Sequence, residues 1–123
     1  MRARVVFAVV LAVQLVLLYW PRAVQPAGGL PWDKIVHATI FGLVVVTGLR
    51  AGIPRRPWIL VTLAHAVVSE LVQHALLPNR SGDPYDALAD VAGVVIAAIA
   101  TARPNREVPG LGNPTDGSRR ARE

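Results

Sequence analysis

Eight side chains carry the potential chemistry of this chain: Asp33, Lys34, His37, Glu70, Gln73, Arg80, Asp86 and Asp90, set in or beside segments that are otherwise Val, Leu, Ile and Ala. An ionisable group inside a membrane span costs about 2.5–3.5 kcal/mol on insertion scales, so each one needs a partner or a task. Together they supply carboxylates, an imidazole, an amide, an ammonium and a guanidinium. That set suits capture of a polar headgroup, with Arg80 placed to fork onto phosphate or carboxylate. It also leaves open acid–base chemistry on a phospholipid or lipid-linked sugar, with Glu70 paired to His37 or Asp86. Metal ligation by His37, His74, Glu70, Asp86 and Asp90 is chemically conceivable, but their spacing is not diagnostic, and no metal or cofactor is expected. The sequence lacks H-E-x-x-H, P-loop, dinucleotide-fingerprint, serine-elbow and zinc-ribbon spacings, so established catalytic signatures give no support.

The elements that must position these groups follow from proline placement. Ten prolines leave four proline-free apolar stretches, at residues 5–20, 35–49, 58–77 and 87–102, which mark four helices. Only the third reaches the ~20 residues that cross a ~30 Å hydrocarbon layer unaided, and flanking residues extend the others. Tyr19, Trp20, Trp32, Trp58 and Tyr85 lie at or just beyond segment ends, as interfacial aromatic belts do. With 123 residues, 53% hydrophobic content and a mean hydropathy of +0.42, a single soluble core could not hide this much apolar surface. The absence of cysteine excludes disulfides, a thiol nucleophile and thiolate metal sites.

Charge placement orients the spans. Of thirteen basic residues, Arg2, Arg4, Arg50, Arg55, Arg56, Arg103, Arg106, Arg119, Arg120 and Arg122 fall on one side, leaving Arg22, Lys34 and Arg80 on the other. Short Arg-rich loops stay cytoplasmic, so four spans with both termini inside a bacterial cell membrane are expected. The net charge of +5 then reflects attraction to anionic lipid rather than a nucleic-acid surface. The first span is expected to be an uncleaved helix and not a signal peptide. The expected organisation is all-α: a four-helix transmembrane bundle with short loops over 1–102, then a disordered cytoplasmic tail over 103–123.

With that topology the polar groups share one level. His37 lies about one turn inside the outer face, Glu70, Gln73 and His74 occupy the outer half of the third helix, and Asp86 opens the fourth with Asp90 one turn deeper. Spacings of three and four place Asp33 with His37, Glu70 with Gln73 and His74, and Asp86 with Asp90, Gly93 and Ala97. The small members of this last stripe admit a close neighbour, so the fourth helix is expected to be central. Arg80 is the expected partner of Glu70. His65, nearer mid-span, is expected to be structural, and Thr39, Thr47, Thr62 and Ser69 to bond the preceding turn.

The pattern Asp33-Lys34-x-x-His37, Glu70-x-x-Gln73, and Arg80 followed by Asp86, Asp90 and Gly93 closely resembles the VanZ-like family of small bacterial membrane proteins, over residues 33–97. In that family the pieces read roughly D-K-x-x-H, E-x-x-Q and R-x5-D-x3-N-x2-G. The departure is Asp90, where members usually carry Asn, so an acid replaces a neutral amide. The resemblance implies a cell-membrane protein of a family named for a member linked to low-level resistance to the glycopeptide teicoplanin, and it brings no defined reaction. The expected function is an outward-facing polar pocket that binds or processes an envelope lipid, cell-wall precursor or glycopeptide. The alternatives are a small proton or ion pathway and a ligand-free membrane scaffolding subunit. Membrane lipids are the expected partners, and the oligomeric state is open.

Overall fold

A computed structural model describes residues 1–20, 32–77 and 84–102. Among them helices are the only regular elements: α1 (Arg2–Tyr19), α2 (Trp32–Arg50), α3 (Arg55–Leu76) and α4 (Pro84–Ala100). The fold is all-α. Charged and aromatic flanks do extend the apolar stretches, so α1, α2 and α3 are each long and apolar enough to cross a membrane. With 17 residues, α4 spans roughly 26 Å at 1.5 Å per residue, slightly under the hydrocarbon thickness. Arg22, Arg80 and the expected tail at 103–123 lie outside the described residues.

Side-chain contacts set the helix directions. Phe7 meets Trp58 and Tyr19 meets His65, so α1 runs parallel to α3. Lys34 meets Asp86 and His37 meets Asp90, so α2 runs parallel to α4, while His37 near Glu70 and Phe41 against His65 make α2 antiparallel to α3. The helices therefore alternate, as in an up-down-up-down bundle. The α2–α3 reversal is tight because Gly52 adopts φ +94° and the chain closes a Schellman motif. Its amide bonds Leu49 O at 3.2 Å, and the Ile53 amide bonds Gly48 O at 3.1 Å.

The centre of the bundle is α2, which packs extensively on α4 and α1 and also on α3; α3 reaches α1 only slightly, and α4 makes no contact with α1. This corrects the expectation that α4 is central. The small-residue stripe on α4 does its packing against one helix: a Cβ on Gly93 would overlap Ala38 O, and one on Gly42 would lie 3.3 Å from Gly93 O and 3.8 Å from the Ala97 Cβ. Ala38 and Gly42 thus answer Gly93 and Ala97 with a second small-x-x-x-small pair, and the two backbones touch. Gly48 similarly makes room for the Trp58 indole, whose Nε1 donates to Val44 O at 3.3 Å. Trp58 is therefore a packing residue as well as an end-of-span aromatic.

Polarity is distributed inside out. Gln14, Thr47, Thr62, Ser69, Glu70, Gln73 and Asp90 are buried beside Leu18, Phe41, Val44, Val45 and Val94, while Val5, Val9, Val16, Leu60, Leu71, Ile96 and Ile99 face outward. In water such a surface would drive aggregation, and in lipid it is the solvated state. The hydroxyls of Thr47, Thr62 and Ser69 bond the carbonyls of Leu43, Trp58 and Ala66, as their spacing suggested.

The α2–α4 contact yields a direct test. Gly93→Ala should cost about 3 kcal/mol, because a methyl group must displace backbone rather than a side chain. Gly52→Ala, at positive φ with open space around it, should cost only about 1 kcal/mol. Unfolding of the two variants in detergent, followed by circular dichroism, checks the order. A Gly93→Ala protein as stable as Gly52→Ala would contradict the backbone contact.

Candidate functional site

A polar cluster lies at the end of the bundle formed by the start of α2, the close of α3 and the start of α4. Its innermost contact is between His37 and Asp90: Nδ1 and Oδ1 are 2.9 Å apart. An ionised carboxylate only accepts, so with Asp90 charged the imidazole donates from Nδ1. Glu70 Oε1 approaches the same nitrogen to 3.9 Å from α3, so two carboxylates from different helices converge on one edge of the imidazole. The Asp90 side chain is fully buried, with 8% of the Glu70 and 13% of the His37 side chain exposed, so water screens this triad little.

One turn toward the helix starts, Lys34 Nζ bonds Asp86 Oδ1 at 2.8 Å and Asp33 Oδ2 at 3.2 Å. Lys34 and His37, three residues apart, thus address Asp86 and Asp90, four apart, as two rungs between parallel helices. The outer rung is the more exposed: 29% of the Lys34 and 16% of the Asp86 side chain remain accessible. Water therefore screens it more than the inner rung, which is a desolvated pair.

Gln73 is buried beside Glu70 in sequence register, and its Nε2 has no hydrogen-bond partner among the described residues; the same is true of Asp90 Oδ2. A buried donor and a buried acceptor left in this condition each cost about 1–3 kcal/mol unless something else meets them. His37, Glu70 and Asp90 could also hold a metal ion, since one donor atom from each lies within 4.8 Å of the others. An imidazole with two carboxylates would suit a divalent cation.

Most of the site residues expected from sequence come together here: Lys34, His37, Glu70, Asp86 and Asp90 are joined by the contacts above, and Gln73 is buried alongside. Two expectations change. Asp33 does not face His37; it is exposed and bonds only its neighbour Lys34 among the contacts described, as befits an acid in the first turn of a helix. His74 is exposed and apart from the buried side of α3. Arg80, expected beside Glu70, lies outside the described residues. The acid at position 90 acquires a physical setting, because it sits directly on an imidazole.

Sequence reasoning missed three features. The specific pairing of Lys34 with Asp86 and of His37 with Asp90 was signalled only by matching intervals on two helices. Gln14, fully buried with both amide atoms unbonded among the described residues, was signalled by being the lone polar residue in an apolar run. The His65–Tyr19 bond of 3.2 Å, with Phe41 at a ring distance of 5.5 Å, had no sequence signal beyond the rarity of a mid-span imidazole. Compared with known protein families, curated proteins and solved structures, the chain matches none.

The inner rung makes a prediction about coupling. His37→Ala strands the Asp90 carboxylate in a dry interior and should destabilise by about 3–5 kcal/mol. Asp90→Asn keeps an acceptor for Nδ1–H and should cost about 1 kcal/mol or less. A double-mutant cycle between His37→Ala and Asp90→Leu should return about 2 kcal/mol of coupling. Additive effects within about 0.5 kcal/mol would show that the two side chains do not interact.

Proposed function

We propose that the chain is a VanZ-like bacterial membrane protein. Its polar cluster faces outward and receives the headgroup of an envelope lipid, a lipid-linked wall precursor or a glycopeptide. The observation that carries this reading is the convergence of His37, Glu70 and Asp90 from three helices at one level, with Gln73 Nε2 and Asp90 Oδ2 left unbonded among the described residues. Lipid offers no substitute partner for such groups, and here they stand beside a carboxylate–imidazole contact at the end of the bundle, where a polar headgroup can reach them. Hydroxyl or amine groups of a sugar-bearing or peptide-bearing headgroup match a surface rich in carboxylate with one imidazole. Lys34, at the exposed rim, can meet phosphate.

The orientation rests on the arginine distribution. Arg2 and Arg4 at the start of α1, Arg50 at the end of α2, and Arg55 and Arg56 at the start of α3 belong to the end of the bundle opposite the cluster. Cytoplasmic retention of that end leaves the cluster outside.

The test compares wild type with Glu70→Gln, Arg80→Ala, Asp86→Asn and His37→Ala at matched membrane levels, reading teicoplanin susceptibility and envelope lipid composition. Loss of one charge-assisted bond to the ligand should weaken its binding about tenfold, so each variant should lose most of the wild-type effect. Wild-type susceptibility and lipid composition in all four would remove the ligand reading and leave a scaffolding role, for which the His37–Asp90 tie between α2 and α4 would suffice. Thiol labelling of Tyr85→Cys in intact cells checks the sidedness, since the chain has no cysteine of its own. Labelling only after the membrane is permeabilised would reverse the proposed orientation.

A further inference from the structure

The end of the bundle opposite the polar cluster carries a second, differently built feature. A groove of about 680 Å³ opens where α2 ends, α3 begins and α4 ends. Val46, Leu49 and Ile53 supply apolar wall, while Arg50 and Arg55 supply a basic edge. Arg55 is fixed in place: its Nη1 donates to Thr101 Oγ1 at 3.0 Å and its Nη2 to Ala98 O, so it also tethers the close of α4. Arg50, at the last position of α2, is exposed.

The charge of this end is one-sided. Arg2, Arg4, Arg50, Arg55 and Arg56 belong to it, whereas Asp33, Glu70, Asp86 and Asp90, the only acids among the described residues, all belong to the other end. No described carboxylate therefore answers the guanidiniums across the groove. Val46 and Leu49 line it toward mid-span and the guanidiniums stand at the helix ends, with Ile53 in the turn between them; apolar wall followed by basic edge matches the order of a phospholipid, acyl chain and then phosphate. A free phosphate would use the edge and leave the apolar wall empty.

We infer that this groove is a binding site for one anionic phospholipid, its phosphate held between Arg50 and Arg55 beside Ile53 and its first acyl segment against Val46 and Leu49. The site is separate from the polar cluster and does not depend on what the cluster binds. It would fasten the turn between α2 and α3 to the end of α4 through the lipid, adding to the bonds of Arg55.

The experiment uses the full chain in detergent, stripped of lipid, and counts bound lipid by native mass spectrometry during titration with phosphatidylglycerol or phosphatidylcholine. One phosphatidylglycerol should bind about 25-fold more tightly than phosphatidylcholine, because roughly fivefold is expected for each of the two arginines near an anionic headgroup. Arg50→Gln should lower the phosphatidylglycerol affinity about fivefold and leave phosphatidylcholine unchanged, while Arg50→Lys should retain most of the preference. Ile53→Glu, which sets a carboxylate in the groove without removing either arginine, should abolish the preference with the bundle still folded by circular dichroism. Equal affinity for the two lipids would overturn the inference. So would an undiminished preference in Arg50→Gln, or displacement of the bound lipid by inorganic phosphate.

Discussion

The backbone contact between α2 and α4 is the constraint on which the rest of the bundle depends. Gly93 brings the α4 backbone against Ala38, and Gly42 and Ala97 continue the seam. Once two parallel helices touch at that point, the residues one turn toward their starts are brought within reach of each other. His37 then meets Asp90, and Lys34 meets Asp86, with no adjustable register. A larger residue at position 93 would force the helices apart, because its Cβ would overlap the Ala38 backbone, and would lengthen the bond beside it. The polar cluster is thus an outcome of small-residue packing, and α3 completes it by bringing Glu70 to the same imidazole.

The solvent decides what holds the helices together. Lipid tails are as apolar as Leu and Val, so the outward Val5, Val9, Leu60 and Ile96 gain nothing by turning inward. Close packing and interhelical hydrogen bonds carry the association instead. Three contacts divide that work along the bundle: Arg55 with Thr101 and Ala98 at one end, Trp58 with Val44 and Phe7 above it, and His37 with Asp90 and Glu70 at the other end. Between them Phe41 packs on His65, which bonds Tyr19, so α1–α3, α2–α3, α2–α4 and α3–α4 are each linked by a specific side chain or close backbone approach. The two ends differ in electrostatic character, acidic around the cluster and basic around the groove, and this asymmetry gives the molecule a direction across a membrane.

Much of this arrangement was legible in the sequence because a membrane simplifies the code. Proline positions delimited the four helices to within a few residues, and an ionisable group in an apolar run is conspicuous wherever it stands. The level shared by His37, Glu70 and Asp90 followed from counting residues along helices that alternate in direction. Rotation about the helix axes was less visible. Asp33 and Lys34 are adjacent, and nothing in the pattern decided which of them would face α4; the structure turns Lys34 inward and leaves Asp33 exposed. Centrality was misjudged for a similar reason. A small-residue stripe on α4 shows that one neighbour comes close, but it does not show how many neighbours there are, and the complementary Ala38 and Gly42 on α2 are unremarkable until Gly93 is set against them. The tether from Arg55 to the end of α4 was hidden because an arginine near a helix end reads equally well as an interfacial charge.

The chain contains three histidines, His37, His65 and His74, each in a different setting: clamped by carboxylates, bonded to a tyrosine, and exposed. Nitrogen-15 spectra of the imidazoles in reconstituted protein, assigned by single His→Asn variants, therefore resolve the central contact directly. The account predicts a strongly hydrogen-bonded Nδ1 for His37 that moves when Asp90 becomes Leu, while the signals of His65 and His74 stay in place. A His37 signal indifferent to Asp90→Leu would contradict it.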